Sequence, residues 1–435
     1  MARASFHQGN VQPSKYSHSY PLIKNSIALL VLIHVVVLKE YSEGITKFLS
    51  ADVEHYANEY GQPTTALPIF YNPRMRLNRD LSVLFLSACM SKFEIERLCE
   101  PLGGSGVRSL RYLNECPSSL ECHVFDINPQ AIEIAKKNLA THIENSRAFV
   151  KIGDAKVLIL QESREKRYDC LDIDPFGSPT PFMNGAIQSL KPKQGLLALT
   201  ATDMPALCGV YPDVAIRKYS GRSIRSPFAH EQAVRLLIGK AYHTAGMNDA
   251  AIRPLVVLST DHYIRVWMEV KSSRTQANKQ AKSIGIVRFC PRCLARDIHS
   301  VKNISMLTEF QHLKNECDQN PSIAGPLWIG ELFDKEILHK AKELLPKYET
   351  HFHKRARKIV DMMMDESEIK KPLYNDIHSI CDAYTLSPPK FSDVMKRLEE
   401  RGYVVSRTHF KSTAIRTDAS EKMIRKTIEE ILEER

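Results

Sequence analysis

Asp172-Ile173-Asp174-Pro175-Phe176-Gly177-Ser178-Pro179 is the stretch whose reading sets both the fold and the chemistry of this chain. It follows Arg167-Tyr168-Asp169-Cys170-Leu171, which reads as a short buried strand. A strand ending in an acid, a proline and an aromatic brings three kinds of group to the mouth of a pocket. The acid accepts hydrogen bonds from an amine, the proline fixes the backbone and removes a donor, and the aromatic offers a face on which a planar base stacks. Modification of the exocyclic amino group of a nucleobase needs these groups. An isolated D-P-F is equally a strand end with an N-cap aspartate and a turn, so the reading depends on its surroundings.

On both sides of this stretch apolar strands alternate with helical patterns. Further strands are predicted at 96–102, 122–126, 149–155 and 195–203, and helices at 109–114 and 129–139. The repetition predicts an α/β fold built on a doubly wound parallel sheet, with ligands beyond the carboxyl ends of the strands. Gly103-Gly104-Ser105-Gly106 after the first strand lets the backbone approach a ligand closely, although such a loop alone is more often a tight turn. Asp126 lies 18 residues beyond Arg108 at the next strand end and suits the two hydroxyls of a ribose. Asp154, after Gly153, can accept from an adenine amino group while Ala155 packs near the ring. A nicotinamide site would carry G-x-G-x-x-G and a second, chemistry-bearing domain. Glycine loop, ribose acid, adenine acid and D-P-F in this order fit S-adenosylmethionine better.

The 435 residues suffice for two domains or three, and 43% hydrophobic residues supply an ordinary core. Sixty basic against fifty acidic residues give +10, which permits a polyanionic partner without requiring one. Ten cysteines, mostly single and in apolar surroundings such as Cys89, Cys99 and Cys170, suggest reduced thiols in the cytosol. Residues 27–38 form an apolar run broken by His34, too short for a membrane span of about 20 residues. No small-residue cleavage pattern follows it, which argues against a signal peptide. Val35-Val36-Val37 favour a strand continuing towards Ile45-Thr46-Lys47-Phe48, and residues 1–34 are set apart as an N-terminal extension, native or an artefact of start-site choice.

Longer strings carry a family resemblance. They are Phe70-Tyr71-Asn72-Pro73-Arg74-Met75-Arg76-Leu77-Asn78-Arg79-Asp80, the D-I-D-P-F-G-S-P segment, Thr200-Ala201-Thr202-Asp203 and Leu207-Cys208-Gly209-Val210-Tyr211-Pro212. Arg217-Lys218-Tyr219, Asp261-His262-Tyr263, Gly325-Pro326-Leu327-Trp328 and Arg407-Thr408-His409-Phe410 add to them. From about Glu43 to the C-terminus the chain resembles the tRNA guanine-26 N2-dimethyltransferase family of class I methyltransferases. With no long basic tail or targeting segment, it is most similar to the archaeal members.

The resemblance implies a Rossmann-like S-adenosylmethionine-dependent catalytic domain over 35–281 and an α+β tRNA-binding domain over 282–435. It implies that Arg79 grips the cofactor's methionine carboxylate, with Arg108 assisting, Asp126 on the ribose, and Asp154 and Ala155 around the adenine. Asp174 would orient and deprotonate the guanine amine, directly or through the Pro175 carbonyl and water. Phe70 and Phe176 would form a flat slot for a base extruded from the tRNA stack; a plain core role for Phe70 is the rival. It implies a cytoplasmic enzyme with tRNA as partner and neither membrane nor obligate protein partner. The chain departs from the family in its loop Leu102-Gly103-Gly104-Ser105-Gly106, where relatives usually have a small or hydroxylic residue in place of one glycine, and at Ala229, where relatives often carry a cysteine. An amino-group methyltransferase acting on another RNA position or on DNA adenine, and a non-catalytic RNA-binding protein, are the alternatives.

In the second half Cys290-Pro291-Arg292-Cys293 suits tetrahedral zinc. Relatives often supply a second cysteine pair; here His312 and Cys317 are the candidates, His299 is also available, and free thiols are the alternative. Helices are predicted at 335–345, 352–364, 374–384 and 391–401, with strands at 403–409 and 414–417 before a terminal helix. This order suggests a winged-helix-like unit. Arg401, Arg407, His409, Lys411 and Arg416 gather at the wing and would track phosphates; the basic run 351–358 reads as a solvated face.

Overall fold

Strands covered on both faces read as continuous apolar runs, and Cys170–Ile173 and Gly195–Ala201, buried at every position, lie in the middle of the main sheet. The computed structural model describes residues 36–58, 67–117, 120–314 and 316–434, so Val35 and the N-terminal extension lie outside the described residues. In chain order the strands are β1 (Leu38–Glu43), β2 (Thr46–Ala51), β3 (Arg97–Glu100), β4 (Glu121–Asp126), β5 (Ala148–Ile152), β6 (Cys170–Ile173), β7 (Gly195–Ala201), β8 (Ala250–Thr260) and β9 (Tyr263–Ser272). They are followed by β10 (Ile284–Phe289), β11 (Arg296–Ser300), β12 (Ser322–Trp328), β13 (Asn375–Asp376), β14 (Val405–Arg407) and β15 (Ala414–Thr417).

The central sheet has the order β5-β4-β3-β6-β7-β9-β8. β3 to β7 run parallel. β3 and β6 are neighbours although β4 and β5 intervene in the chain, so the strand order reverses between them; ligands of α/β sheets bind at such a switch point. The expectation of a wholly parallel sheet is corrected at one edge, where β8 and β9 form a hairpin and β9 runs antiparallel to β7. Asp261 makes the turn at a φ of 51°, a left-handed conformation that aspartate tolerates, and the Asp261-His262-Tyr263 string is this turn. Val37 to Phe48 is likewise not one strand. Gly44, at a φ of 56°, folds β1 and β2 into a hairpin apart from the central sheet.

Two core clusters cover the sheet. One takes Ile187, Leu237 and Ile238 from helices Thr180–Ser189 and Ala229–Met247. The other takes Leu84 and Phe85 from helix Arg76–Met90 together with Leu338, Ala341 and Val360 from helices Lys335–Tyr348 and Ala356–Ser367. Sequentially distant helices thus share one core, and Val37–Arg435 is one compact unit. The sheet β13-β15-β14 packs with helices Ile377–Tyr384, Phe391–Glu400 and Glu421–Glu433 around Ile377, Val394, Leu398, Ile415, Ile424 and Ile428. This is the winged-helix-like arrangement. The helix expected over 374–384 begins at Ile377 because Asn375 and Asp376 pair with Ile415 and Ala414.

Glu231 ties the C-terminal half to helix Ala229–Met247. Its carboxylate accepts from the amides of Leu373 (2.8 Å) and Tyr374 (3.0 Å), from Arg416 (2.7 Å) and from Arg235 (2.8 Å). Burial works against this charge, but Arg416 and Arg235 outweigh it and hold the carboxyl down at about 2. The folded value lies below the ordinary 4.5, so the stabilisation is present above pH 4.5 and is lost as the pH falls towards 2. Glu231→Ala leaves two buried guanidiniums without this partner. It is expected to cost about 3–5 kcal/mol, seen as a lower urea midpoint at pH 7, with the gap to wild type narrowing as the pH drops below 4.5.

Candidate active site

Side chains alternate along a strand, so Asp172 and Asp174 leave the end of β6 on one side. Arg108, near the start of helix Val107–Glu115, lies between them. Its Nη2 donates to Asp174, and its Nη1 donates to Asn78 Oδ1 (2.8 Å) and Ser82 Oγ (2.9 Å). Its Nε lies 3.3 Å from Glu100 Oε1 and 3.8 Å from Asp172 Oδ2. Asp172 also accepts from the Tyr112 hydroxyl (2.6 Å) and Arg265 Nη2 (2.6 Å). Burial works to raise the Asp172 carboxyl, but Arg265 and Arg108 outweigh it and bring it below the usual range. Glu100 moves the other way, pushed up to about 7 because burial exceeds the pull of Arg108. Asp174 is the outermost of the three acids, 16% exposed at its side chain, and its Oδ1 makes no hydrogen bond among the described residues. Arg108, expected beside the cofactor, directly grips the expected catalytic acid. Glu100, Asp172 and Asn78 were missed in the sequence, although the D-I-D spacing already places two acids on one side.

The loop after β6 is clamped from β7. Gly177 N–H donates to Thr202 Oγ1 (2.8 Å) and Thr202 N–H to the Gly177 carbonyl (2.9 Å). Pro175 is buried and Phe176 is left 61% exposed. Phe70 and Phe176 do come together, with ring centroids 4.5 Å apart at 83°. They meet edge to face and do not face each other across an open slot, which corrects the expected geometry.

The expected cofactor residues line up at the neighbouring strand ends. Gly104 N–H donates to Asp126 Oδ2 (2.8 Å), and Gly153 N–H to the Asp126 carbonyl (3.0 Å). Gly104 and Gly106 have φ of 53° and 73°, a region glycine enters without strain. Asp154 caps helix Ala155–Glu162 through Lys156 N–H (2.9 Å), and Ala155 is buried behind it. Ile127, exposed next to Asp126, adds an apolar surface the sequence reading did not single out. Asn128 Nδ2 donates to the Pro68 carbonyl (2.7 Å), drawing the segment that carries Phe70 across these strand ends.

Arg79 differs most from expectation. Its Nε and Nη2 both donate to the buried Glu43 carboxylate, and Nη2 also reaches the Asn72 carbonyl (3.0 Å). The two-pronged grip expected on a cofactor carboxylate goes to Glu43, and only Nη1 makes no hydrogen bond among the described residues. Nothing in the spacing of Glu43 marks it as this partner.

Away from the sheet, the ligand atoms of Cys290, Cys293, His312 and Cys317 all lie within 4.8 Å of one another. Cys290 Sγ and Cys317 Sγ are 3.6 Å apart, and Cys293 Sγ and His312 Nδ1 are 3.4 Å apart. Tetrahedral zinc with sulfur and nitrogen ligands sets about 3.4–3.8 Å between ligand atoms; these two spacings fall in that range, and three thiols with one imidazole are a donor set that suits the ion. Burial works to raise the Cys293 thiol, but the amides of Ala295 and Leu313 and the His312 ring bring it below the usual thiol range. His299 lies outside this group, on Asp297 (3.1 Å). The wing cations are mostly spent internally. Arg416 and His409 are buried on Glu231 and Glu366, Arg401 binds Thr427 and Glu430, and Lys411 binds Asp376 (2.7 Å). Of the five, Arg407 alone meets no acid among the described residues, its guanidinium resting over the Phe391 ring. The phosphate-tracking role expected of this cluster is therefore corrected.

Comparison with known proteins agrees with this geometry. The family model for N2,N2-dimethylguanosine tRNA methyltransferase matches residues 44–429. The tRNA (guanine(26)-N(2))-dimethyltransferase of Methanosphaera stadtmanae is 33% identical, over 90% of this chain and 97% of the relative. That of Thermococcus kodakarensis is 32% identical, over 81% of this chain and 90% of the relative. The solved structure of Trm1 from Pyrococcus horikoshii with S-adenosyl-L-methionine superposes with a TM-score of 0.76 at 27% identity, covering 90% of this chain and 99% of that one. With the match running nearly end to end and the D-P-F loop at the switch point of the sheet, this chain belongs to the N2,N2-dimethylguanosine tRNA methyltransferase family.

Proposed function

We propose that this protein transfers one or two methyl groups from S-adenosyl-L-methionine to the exocyclic N2 of guanine 26 in tRNA. The observation that carries the mechanism is Asp174, held through Oδ2 by Arg108 while Oδ1 stays open beside Phe176 at the end of β6. The N2 lone pair of guanine is delocalised into the ring, so the amine is a poor nucleophile. Asp174 Oδ1 accepts from the amine N–H, localises the lone pair and takes up the proton as the new N–C bond forms, directly or through the Pro175 carbonyl and water. Phe176, in edge-to-face contact with Phe70, supplies the stacking surface that orients the extruded base. When bound, the cofactor supplies an electrophilic methyl on a sulfonium.

The strand-end geometry supports Asp126 as the ribose acceptor and Asp154 and Ala155 as the adenine frame; Arg79, with Nε and Nη2 taken by Glu43, has Nη1 left for a monodentate contact to the methionine carboxylate. Residues 35–281 carry the chemistry in this reading, and 282–435 serve tRNA binding. Cys290, Cys293, His312 and Cys317 hold a structural zinc. No helix among the described residues is long and apolar enough to cross a membrane. With all ten cysteines unpaired, a cytoplasmic enzyme needing neither membrane nor obligate protein partner is the reading we adopt.

Three outcomes are expected. Labelled cofactor and an unmodified tRNA transcript yield dimethylguanosine, and a transcript with adenine in place of guanine 26 yields none; equal incorporation into both would place the reaction elsewhere. Asp174→Ala lowers the single-turnover rate by roughly 10²–10⁴ with cofactor affinity within about twofold of wild type by calorimetry, and an undiminished rate would remove Asp174 from the mechanism. Metal analysis of the purified protein finds about one zinc per chain, and Cys293→Ser loses it with a fall in Tm; a metal-free wild type would leave these side chains as ordinary thiols.

A further inference from the structure

Phe176, Ser178, Phe182, Arg217, Lys218 and Lys240 line one open cavity of about 520 Å³. Arg217 and Lys218 sit in the last turn of helix Pro212–Tyr219, whereas Lys240 comes from the middle of helix Ala229–Met247. The short helix is anchored to the end of β7 by Asp203, which accepts from the Tyr219 hydroxyl and lies 3.4 Å from Lys218 Nζ. Arg217 is exposed and has neither ion pair nor hydrogen bond among the described residues; Asp213, one turn earlier, does not pair with it. Among the described residues Lys240 Nζ reaches only Ser220 Oγ (3.2 Å). Tyr211 and Ile216, on the same segment, are 58% and 45% exposed.

Cations in the last turn of a helix complement its dipole, and that alone could account for Arg217 and Lys218. It does not account for Lys240, which is not at a helix end yet faces the same cavity. Nor does it account for the convergence of these cations beside Phe176, while four of the five basic side chains at the wing are neutralised within the fold. An extruded base brings its own flanking phosphates to the mouth of the pocket, and phosphate contacts set register and orientation. We propose that Arg217 and Lys240 bind the phosphates flanking the extruded guanosine and so hold its base against Phe176. They are positioning residues for the substrate strand, and this inference rests on the tRNA reading above.

The test compares wild type with Arg217→Glu, Lys240→Glu and the double variant. It measures kcat/KM for methylation of a tRNA transcript across a salt series, tRNA affinity by filter binding, and cofactor affinity by calorimetry. The double variant is expected to lose at least tenfold in tRNA affinity and in kcat/KM, mostly through KM. Its salt dependence should flatten by about one to two in log–log slope, with cofactor affinity unchanged. Unchanged tRNA affinity and salt slope would make these cations a solvated surface and overturn the proposal. If Lys240→Glu fails to fold, Arg217→Ala at its exposed position carries the test, with the slope flattening by about one. A wild type that binds tRNA without methylating it, while the variants lose that binding, would overturn the activity and sustain this site. A wild type that binds no tRNA would overturn both.

Discussion

The site depends on a guanidinium buried among three carboxyls. Taking Arg108 out of water costs several kcal/mol unless its donors are satisfied and its charge is balanced. Asn78, Ser82 and Asp174 take its terminal donors, and Glu100 and Asp172 flank its Nε. With Arg265, two guanidiniums meet three carboxyls, and Glu100 is the acid that burial, with the nearby Asp172 and Asp174 charges adding to it, pushes up to about 7. An arrangement of this kind contributes little net stability; what it supplies is a single geometry. It spans the switch point, joining the end of β3 and the helix after it to the end of β6. Through it Asp174 is fixed by the ends of β3 and β6 together.

Three consecutive residues of helix Arg76–Met90 show how one string serves several ends. Successive side chains leave a helix about 100° apart, so Asn78, Arg79 and Asp80 point three ways. Asn78 accepts from Arg108 at the site, and Arg79 closes on Glu43 in the β1–β2 hairpin. Asp80 accepts from Arg111 (2.6 Å) and from the amide of His353 in the C-terminal half (2.7 Å). Tyr348 adds to this last link, its hydroxyl donating to the Glu115 carbonyl (3.0 Å). The catalytic sheet and the later helices are therefore joined by buried polar contacts as well as by a shared apolar core, and motion of one would strain the other.

Much of this was legible in the chain. Apolar runs punctuated by helical patterns placed β3 to β7 in order; β6 and β7 are buried at every position, whereas β5, at the edge of the sheet, keeps Phe149 and Ile152 exposed. Acids at strand ends marked the ligand side: a charge directly after an apolar run has to leave the core there. Asp126, Asp154 and Asp174 were singled out in this way, and the structure gathers Cys290 and Cys293 with His312 and Cys317, the partners the sequence offered for them. The β8–β9 hairpin was missed because Asp261, in its tight turn, carries neither glycine nor proline.

The sequence alone determined which residue types stand at each strand end and hence the class of chemistry, since local periodicity and burial act within a few residues. Only the tertiary structure decided which charges meet. Arg79 and Glu43 are 36 positions apart, and Arg416 and Glu231 are 185 apart. Arg416 and Arg217 look alike in the chain, yet one is buried on two carboxylates and the other is open beside Phe176. Pairing of charges is a property of distance and dielectric, and neither is written along the chain until the sheet has brought its ends together.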